Sequence, residues 1–186
     1  MTYANQLTVL RMAFVPLVVL LIVYDYSGYA LLVFLAAGIT DMLDGLIARR
    51  FGQRTAVGTV LDPIADKLLL VSSFITLSVP SLGLTVTLPL WLTITAISRD
   101  FLLVVSVLVI NLMVGRRVYH PSLLGKLTTA SQLLLVLTVL FSNYIGSIPT
   151  FLKPLIYATL ALTVASGLHY MMRGMFLLEH ERRASD

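Results

Sequence analysis

Cysteine is absent from these 186 residues, which excludes disulfides and thiolate metal sites but leaves the compartment open. Charge is scarce as well: 12% of residues are Asp, Glu, Lys or Arg, and only nine are acidic. Polar stretches longer than a loop are missing, so a second, water-soluble domain has no room. There is no internal repeat and no low-complexity segment, and the missing repeat disfavours transporter architectures built from inverted halves. What fills the chain is hydrocarbon, with 58% hydrophobic residues and a mean hydropathy of +0.94. Soluble domains of this size do not have that composition; long apolar runs mean transmembrane helices.

The net charge of +4 and pI near 9.6 do not imply nucleic acid, because the Lys and Arg residues gather at helix ends. Hydropathy predicts six spans, roughly 9–25, 28–50, 57–79, 86–114, 121–143 and 150–177, each able to cross ~30 Å of hydrocarbon at ~1.5 Å per residue. Turn and polar residues separate them, among them Asp25-Tyr-Ser-Gly28, Pro80-Ser-Leu-Gly83 and Gly115-Arg116-Arg117. The expectation is an all-α integral membrane protein, one domain over 1–186. With six spans, Arg11, the Arg49/Arg50/Arg54 loop, the Arg116/Arg117 loop and the Arg182/Arg183 tail fall on one side, while the other side has only Lys153. By the positive-inside rule both termini are cytoplasmic, in the cell (inner) membrane. Trp91 and Tyr144 fit an interfacial belt. The Met12 to Val23 run, with Gly28-Tyr29-Ala30 as a faint cleavage-like site, reads as a retained first helix because further spans follow it.

Against this background stand four aspartates: Asp41-Met-Leu-Asp44-Gly45-Leu-Ile-Ala48-Arg49, eight residues, then Gly58-Thr-Val-Leu-Asp62-Pro-Ile-Ala-Asp66. An ionised carboxylate within a bilayer costs roughly 2.5 kcal/mol or more on insertion scales and marks function. Asp41/Asp44 are spaced i,i+3 and Asp62/Asp66 i,i+4, so each pair shares a helix face. Two antiparallel helices joined by a short loop can point all four at one place, in a cavity open to the cytoplasm. Four such charges repel one another unless cations lie between them. Oxygen-only ligands suit Mg²⁺ or Mn²⁺, and four carboxylates suffice for two ions, an arrangement suited to phosphoryl-type displacement. Gly45 and Gly58 remove side chains where a ligand could approach backbone, and Arg49 is placed to hold a phosphate. Pro63, near the start of the third span, is tolerated there. The bland reading of the quartet is a polar cluster or ion pathway, as in a small ion transporter.

The eight positions Asp41, Asp44, Gly45, Ala48, Arg49, Gly58, Asp62 and Asp66 resemble, in identity and spacing, the signature of the CDP-alcohol phosphatidyltransferases. The resemblance implies a homodimeric six-helix membrane enzyme that takes CDP-diacylglycerol as donor and releases CMP as an acceptor hydroxyl attacks. It further implies that Asp41, Asp44, Asp62 and Asp66 surround two metal ions, that Asp66 is also the general base, and that Gly45, Arg49 and Gly58 hold the cytidine diphosphate part. Asn5-Gln-Leu-Thr8-Val-Leu-Arg11 is similar to the opening of the phosphatidylglycerophosphate-synthase and cardiolipin-synthase branch, which adds Asn5 and Thr8 to the nucleotide side. Ile97-Ser-Arg99-Asp100 and Pro121-Ser-Leu-Leu-Gly125-Lys126-Leu-Thr128-Thr129 also resemble that branch.

The acceptor is less sharply written. Glycerophosphate synthases usually carry Arg-Glu where this chain has Arg99-Asp100, and a second Lys where Thr128 stands; both departures resemble cardiolipin synthases. Glycerol-3-phosphate, a compact dianion, wants several fixed cations, and Arg99, Arg116, Arg117, His120 and Lys126 are candidates. Phosphatidylglycerol, a monoanionic diester, needs fewer. Glycerol-3-phosphate is the leading expectation, with Arg99, Arg116 and Lys126 as acceptor-binding residues and phosphatidylglycerol as the alternative. The structural readings of the same residues are a buried neutralising pair for Arg99/Asp100, topology anchors for Arg116/Arg117, and a snorkelling side chain for Lys126. Asn5 and Thr8 could instead cap an entry helix.

Overall fold

The computed structural model describes residues 3–51, 56–114 and 122–185, with side chains described for 10–40, 65, 67–106 and 122–172. Among them are six α-helices and no strand: α1 (Tyr3–Val23), α2 (Ser27–Phe51), α3 (Ala56–Leu77), α4 (Leu90–Val114), α5 (Leu123–Ile145) and α6 (Leu152–Ser185). A single 3₁₀ turn, Pro80–Leu82, lies between α3 and α4. Leu123–Ile145 and Leu152–Met172 are, among the described residues, long and apolar enough to cross a membrane.

The helix ends follow from local chemistry. The α1 terminus closes with Asp25 N–H donating to Ile22 O (3.1 Å) and Tyr26 N–H to Leu21 O (2.8 Å). Asp25 takes the left-handed conformation, φ 60, that this double closure requires and that Asp tolerates better than most residues. Gly146, φ 70, ends α5 the same way, with Ser147 N–H on Ser142 O at 3.1 Å. The fourth helix starts later than the predicted 86. Pro89 disfavours helical backbone at Leu88, and Leu88 N–H donates to Leu77 O instead (2.9 Å). Asn143 holds Val86: its Oδ1 accepts the Val86 N–H (2.8 Å) and its Nδ2 donates to Val86 O (2.9 Å). At the other extreme α6 outruns the predicted 177 by eight residues, to Ser185. The tail Glu179-His-Glu-Arg-Arg183 keeps favourable Glu-to-Arg i,i+4 spacing.

The chain forms two compact units. In the first, Met1–Pro89 with Val136–Leu152, α1 packs on α2 and on α3. Its core is built from helical rows: Val18 and Ile22 on α1, Ala30, Phe34 and Ala37 on α2, and Leu70, Phe74 and Leu77 on α3, all buried. The second unit, Leu90–Leu135 with Lys153–Asp186, has an interior rich in polar groups. Thr93, Arg99, Thr128, Gln132, Thr159, Thr163 and Ser166 are buried there, while Phe101 (66%), Val104 (67%) and Leu123 (76%) are exposed. Several of these hydroxyls bond along their own helix, as Thr163 Oγ1 does to Thr159 O (2.7 Å), which satisfies them without a partner helix.

Candidate active site

The rows of the first unit lead to the aspartates. On α2 the buried residues Ala30, Phe34 and Ala37 are spaced by four and three, and the same alternation reaches positions 41 and 44. On α3 the buried Leu70 and Phe74 belong to an i,i+4 row whose upstream members are positions 66 and 62. Register alone thus sets all four aspartates on the rows that, one or two turns away, form the core. Gly45 and Arg49 follow on α2 and Gly58 precedes on α3. The side chains of Asp41, Asp44, Arg49, Asp62 and Asp66, and the surroundings of Gly45 and Gly58, lie outside those described. Asp44 precedes the end of α2 by seven residues and Asp62 follows the start of α3 by six, about 10 Å in each case. The α3 helix runs unbroken past Pro63, as the sequence reading expected. Proline has no N–H to give, so the Thr59 carbonyl has no helical donor at that turn.

The remaining helix of this unit, α1, contributes Arg11, which closes the Asn5–Arg11 opening and also belongs to the charge pattern that sets orientation. Arg11 is 1% exposed and shares its row on α1 with Val18 and Ile22. It stands twelve residues before the end of α1, and Asp41 fourteen after the start of α2. The turn between them is short, so these are nearly the same depth, about 18 and 21 Å from the connection. A buried guanidinium is tolerated only among compensating groups. The sequence signal was available: a lone Arg on an otherwise apolar row points inward. Asn5 and Thr8 fall within α1, which begins at Tyr3, so neither occupies the position before the helix that a cap requires; their side chains are outside those described.

The second unit holds the predicted acceptor residues. Arg99 is 5% exposed. Its Nη1 donates to Asp100 Oδ1 (2.8 Å) and its Nη2 to Ser166 Oγ (2.6 Å). The guanidinium carbon lies 5.8 Å from the centre of the Tyr170 ring, within cation–π range. Tyr170 in turn accepts the Ser122 N–H on its hydroxyl (3.0 Å). Ser122 caps α5, its Oγ accepting the Gly125 N–H (3.1 Å), which satisfies one of the first-turn amides. Gly125 is needed for this closeness: a Cβ there would stand 2.9 Å from the Tyr170 hydroxyl and 3.3 Å from Arg99 Nη2. Arg99 is therefore brought against the first turn of α5, where Lys126 follows with its side chain exposed. Thr128 is fully buried, and its hydroxyl reaches Leu124 O (2.8 Å) and Leu162 O (3.0 Å). Arg116 lies outside the described residues. Ser166 and Tyr170 were missed by the sequence reading, since neither carries a charge nor sits in a recognisable spacing.

Comparison with known proteins gives this arrangement its context. The family model for CDP-alcohol phosphatidyltransferase matches residues 1–167. The chain belongs to that family. The match includes every signature position from Asp41 to Asp66, together with Arg99 and Ser166; Tyr170 lies beyond it. The human protein named cardiolipin synthase (CMP-forming) is 34% identical over 192 residues, covering 93% of this chain and 62% of its own. A Schizosaccharomyces pombe cardiolipin synthase (CMP-forming)/mitochondrial hydrolase fusion protein is 37% identical over 185 residues, covering 91% of this chain and 30% of its own. A probable phosphatidylglycerophosphate synthase of Mycobacterium tuberculosis is 37% identical over 180 residues, covering 92% of this chain and 81% of its own. The chain thus spans less than two thirds of the two cardiolipin synthases. Both branches suggested by Arg99-Asp100 and Lys126 are represented among its relatives.

Proposed function

We propose that this chain moves the phosphatidyl group of CDP-diacylglycerol to the hydroxyl of a glycerol-type acceptor, releasing CMP. The observation that carries the reading is the register of α2 and α3, which sets positions 41, 44, 62 and 66 on core-forming rows in a family of phosphatidyltransferases. The donor set fits hard divalent cations: four carboxylates without sulfur or imidazole suit Mg²⁺ or Mn²⁺. Asp41, Asp44, Asp62 and Asp66 would hold two such ions, which would neutralise the pyrophosphate and stabilise charge on the leaving CMP. Gly45, Gly58 and Arg49, with Asn5 and Thr8 from α1, lie on the side of the cytidine diphosphate. Asp66 takes the acceptor proton, a role that depends on its position beside the attacking hydroxyl. The buried polar interior and exposed hydrocarbon are what six membrane spans require, with the aspartates near the cytoplasmic face of the inner membrane and the enzyme acting as a homodimer.

Glycerol-3-phosphate is the leading acceptor, held by Lys126, Arg116 and Arg99 at the first turn of α5. A specific observation favours phosphatidylglycerol as the second reading. Two donors of the Arg99 fork are already engaged by Asp100 and Ser166, and neutral Thr128 is tied to backbone, which leaves fewer free cations for a dianion. The test is purified protein with labelled CDP-diacylglycerol and each acceptor separately. CMP release that requires one of the two acceptors supports the reading and names the acceptor. CMP release that requires neither, or ion flux in liposomes without any nucleotide lipid, would overturn it.

A further inference from the structure

Ser166 is buried on α6 and stands in none of the sequence motifs. It meets a cation whose nearest neighbour leaves its direction open. Arg99 and Asp100 are adjacent on α4, so their side chains leave the helix about 100° apart, and such neighbours do not face one another. Their 2.8 Å bond fixes one end of the guanidinium, Nη1, without deciding where the rest of the fork points. Asp100 is also the more exposed of the two side chains, 13% against 5%, so its pull is outward. The Tyr170 ring, 5.8 Å from the guanidinium carbon, attracts the charge, but a ring face does little to fix the rotation of the group above it.

The missing constraint comes from α6. Ser166 Oγ accepts from Arg99 Nη2 at 2.6 Å, which ties the second end of the fork to a different helix. Ser166 is 0% exposed, so water has no access to take the place of its hydroxyl. A planar fork held at both ends has one orientation. Two glycines flank its course. A Cβ on Gly167 would stand in ordinary contact with Arg99 Cγ at 3.6 Å, and one on Gly125 would come within 3.3 Å of Nη2. The Arg99 stem thus runs beside α6, and its fork ends against the first turn of α5, one residue before Lys126. Without the Ser166 hydroxyl, Asp100 alone would direct the fork, and the Nη2 end would lose its place beside that turn.

We propose that Ser166 is a positioning residue for the acceptor, a role that rests on the acceptor reading above: it orients the Arg99 fork at the first turn of α5 and so sets the affinity for the acceptor phosphate. The test is steady-state kinetics of the full chain in detergent with labelled CDP-diacylglycerol, using whichever of glycerol-3-phosphate and phosphatidylglycerol supports CMP release. Ser166→Ala raises the KM for that acceptor roughly threefold to tenfold, the scale of one hydrogen bond. The kcat and the KM for CDP-diacylglycerol stay within about twofold, the pattern of lost binding rather than lost chemistry. Thr163→Ala removes another fully buried hydroxyl from α6, one bonded along its own helix, and leaves both KM values unchanged. A merely structural Ser166 would instead lower the active fraction, seen as a smaller apparent kcat at constant KM. Acceptor-dependent CMP release whose acceptor KM is unmoved by Ser166→Ala overturns this role and leaves the transfer reading standing. The same holds if Thr163→Ala moves that KM equally, or if the KM for CDP-diacylglycerol rises as much. No CMP release, or release that needs neither acceptor, overturns the transfer reading, and the role of Ser166 falls with it.

Discussion

Replacing Ser166 with alanine removes the acceptor of a 2.6 Å bond from Arg99 Nη2, and the size of the loss can be worked out. Arg99 is 5% exposed and its Nε has no hydrogen-bond partner, so water has little access to replace the hydroxyl. A hydrogen bond to a charged group contributes about 1.5–3 kcal/mol in soluble proteins. Interhelical hydrogen bonds in a membrane protein average only about 0.6 kcal/mol and reach about 1.7. The Arg99–Ser166 bond is charged, short and buried, which on the proposed membrane reading places it near the upper end of the membrane range, about 1.5 kcal/mol. The 2.8 Å bond to Asp100 and the Tyr170 ring survive the change, so the fold persists. Arg99→Leu is costlier, about 3 kcal/mol, because it removes the buried partner of a part-buried ion pair. Equilibrium unfolding of the wild type, both single variants and the double variant in a denaturing-detergent titration isolates the pair, with an expected coupling of about 1–1.5 kcal/mol. Thr163→Ala is the control, since that hydroxyl bonds along its own helix at 2.7 Å and is expected to be additive with Arg99→Leu. A Ser166–Arg99 coupling within about 0.5 kcal/mol of zero, the usual scatter of additivity, would refute the reasoning.

Asp66→Asn is expected to keep CDP-diacylglycerol binding and reduce CMP release by at least about 10²-fold, the low end for loss of a general base; near-normal transfer rules out that role. A chelator is expected to stop CMP release and added Mg²⁺ or Mn²⁺ to restore it, while activity unaffected by the chelator excludes the metal assignment. Arg11→Leu removes a cation that is 1% exposed and should cost about 3–5 kcal/mol in unfolding experiments; a change under 1 kcal/mol, roughly the limit for a solvated ion pair, would show that Arg11 reaches water. Gly125→Ala drives a Cβ against the Tyr170 hydroxyl and should cost about 1–3 kcal/mol as overpacking, read as a lowered melting temperature.

Helix number and most boundaries were legible because apolar runs and turn residues punctuate this chain plainly. The departure at residues 86–89 is instructive: hydropathy continues across Val86 and Leu88, but Pro89 and the Asn143 clamp, 57 residues distant, override it. The aspartate positions were legible because spacing by three and four is itself geometry. Arg99 was legible as a buried charge, whereas its partners were not, since Ser166 and Tyr170 reach it only through tertiary packing. Arg11 shows the opposite failure: a charge near a predicted helix end satisfies the positive-inside rule wherever its side chain points, so topology absorbed it before burial was considered.

The 34 residues of α6 have a mechanical consequence. At 1.5 Å per residue the helix measures about 51 Å against a hydrocarbon core of about 30 Å; on the proposed membrane reading, with its first turn at the far boundary, roughly 20 Å of continuous helix would stand clear of the lipid. That overhang is a built-in ruler. A fluorophore attached near Ser185 would report its own height above the bilayer by energy transfer to labelled lipid, and that height would shift with bilayer thickness and helix tilt.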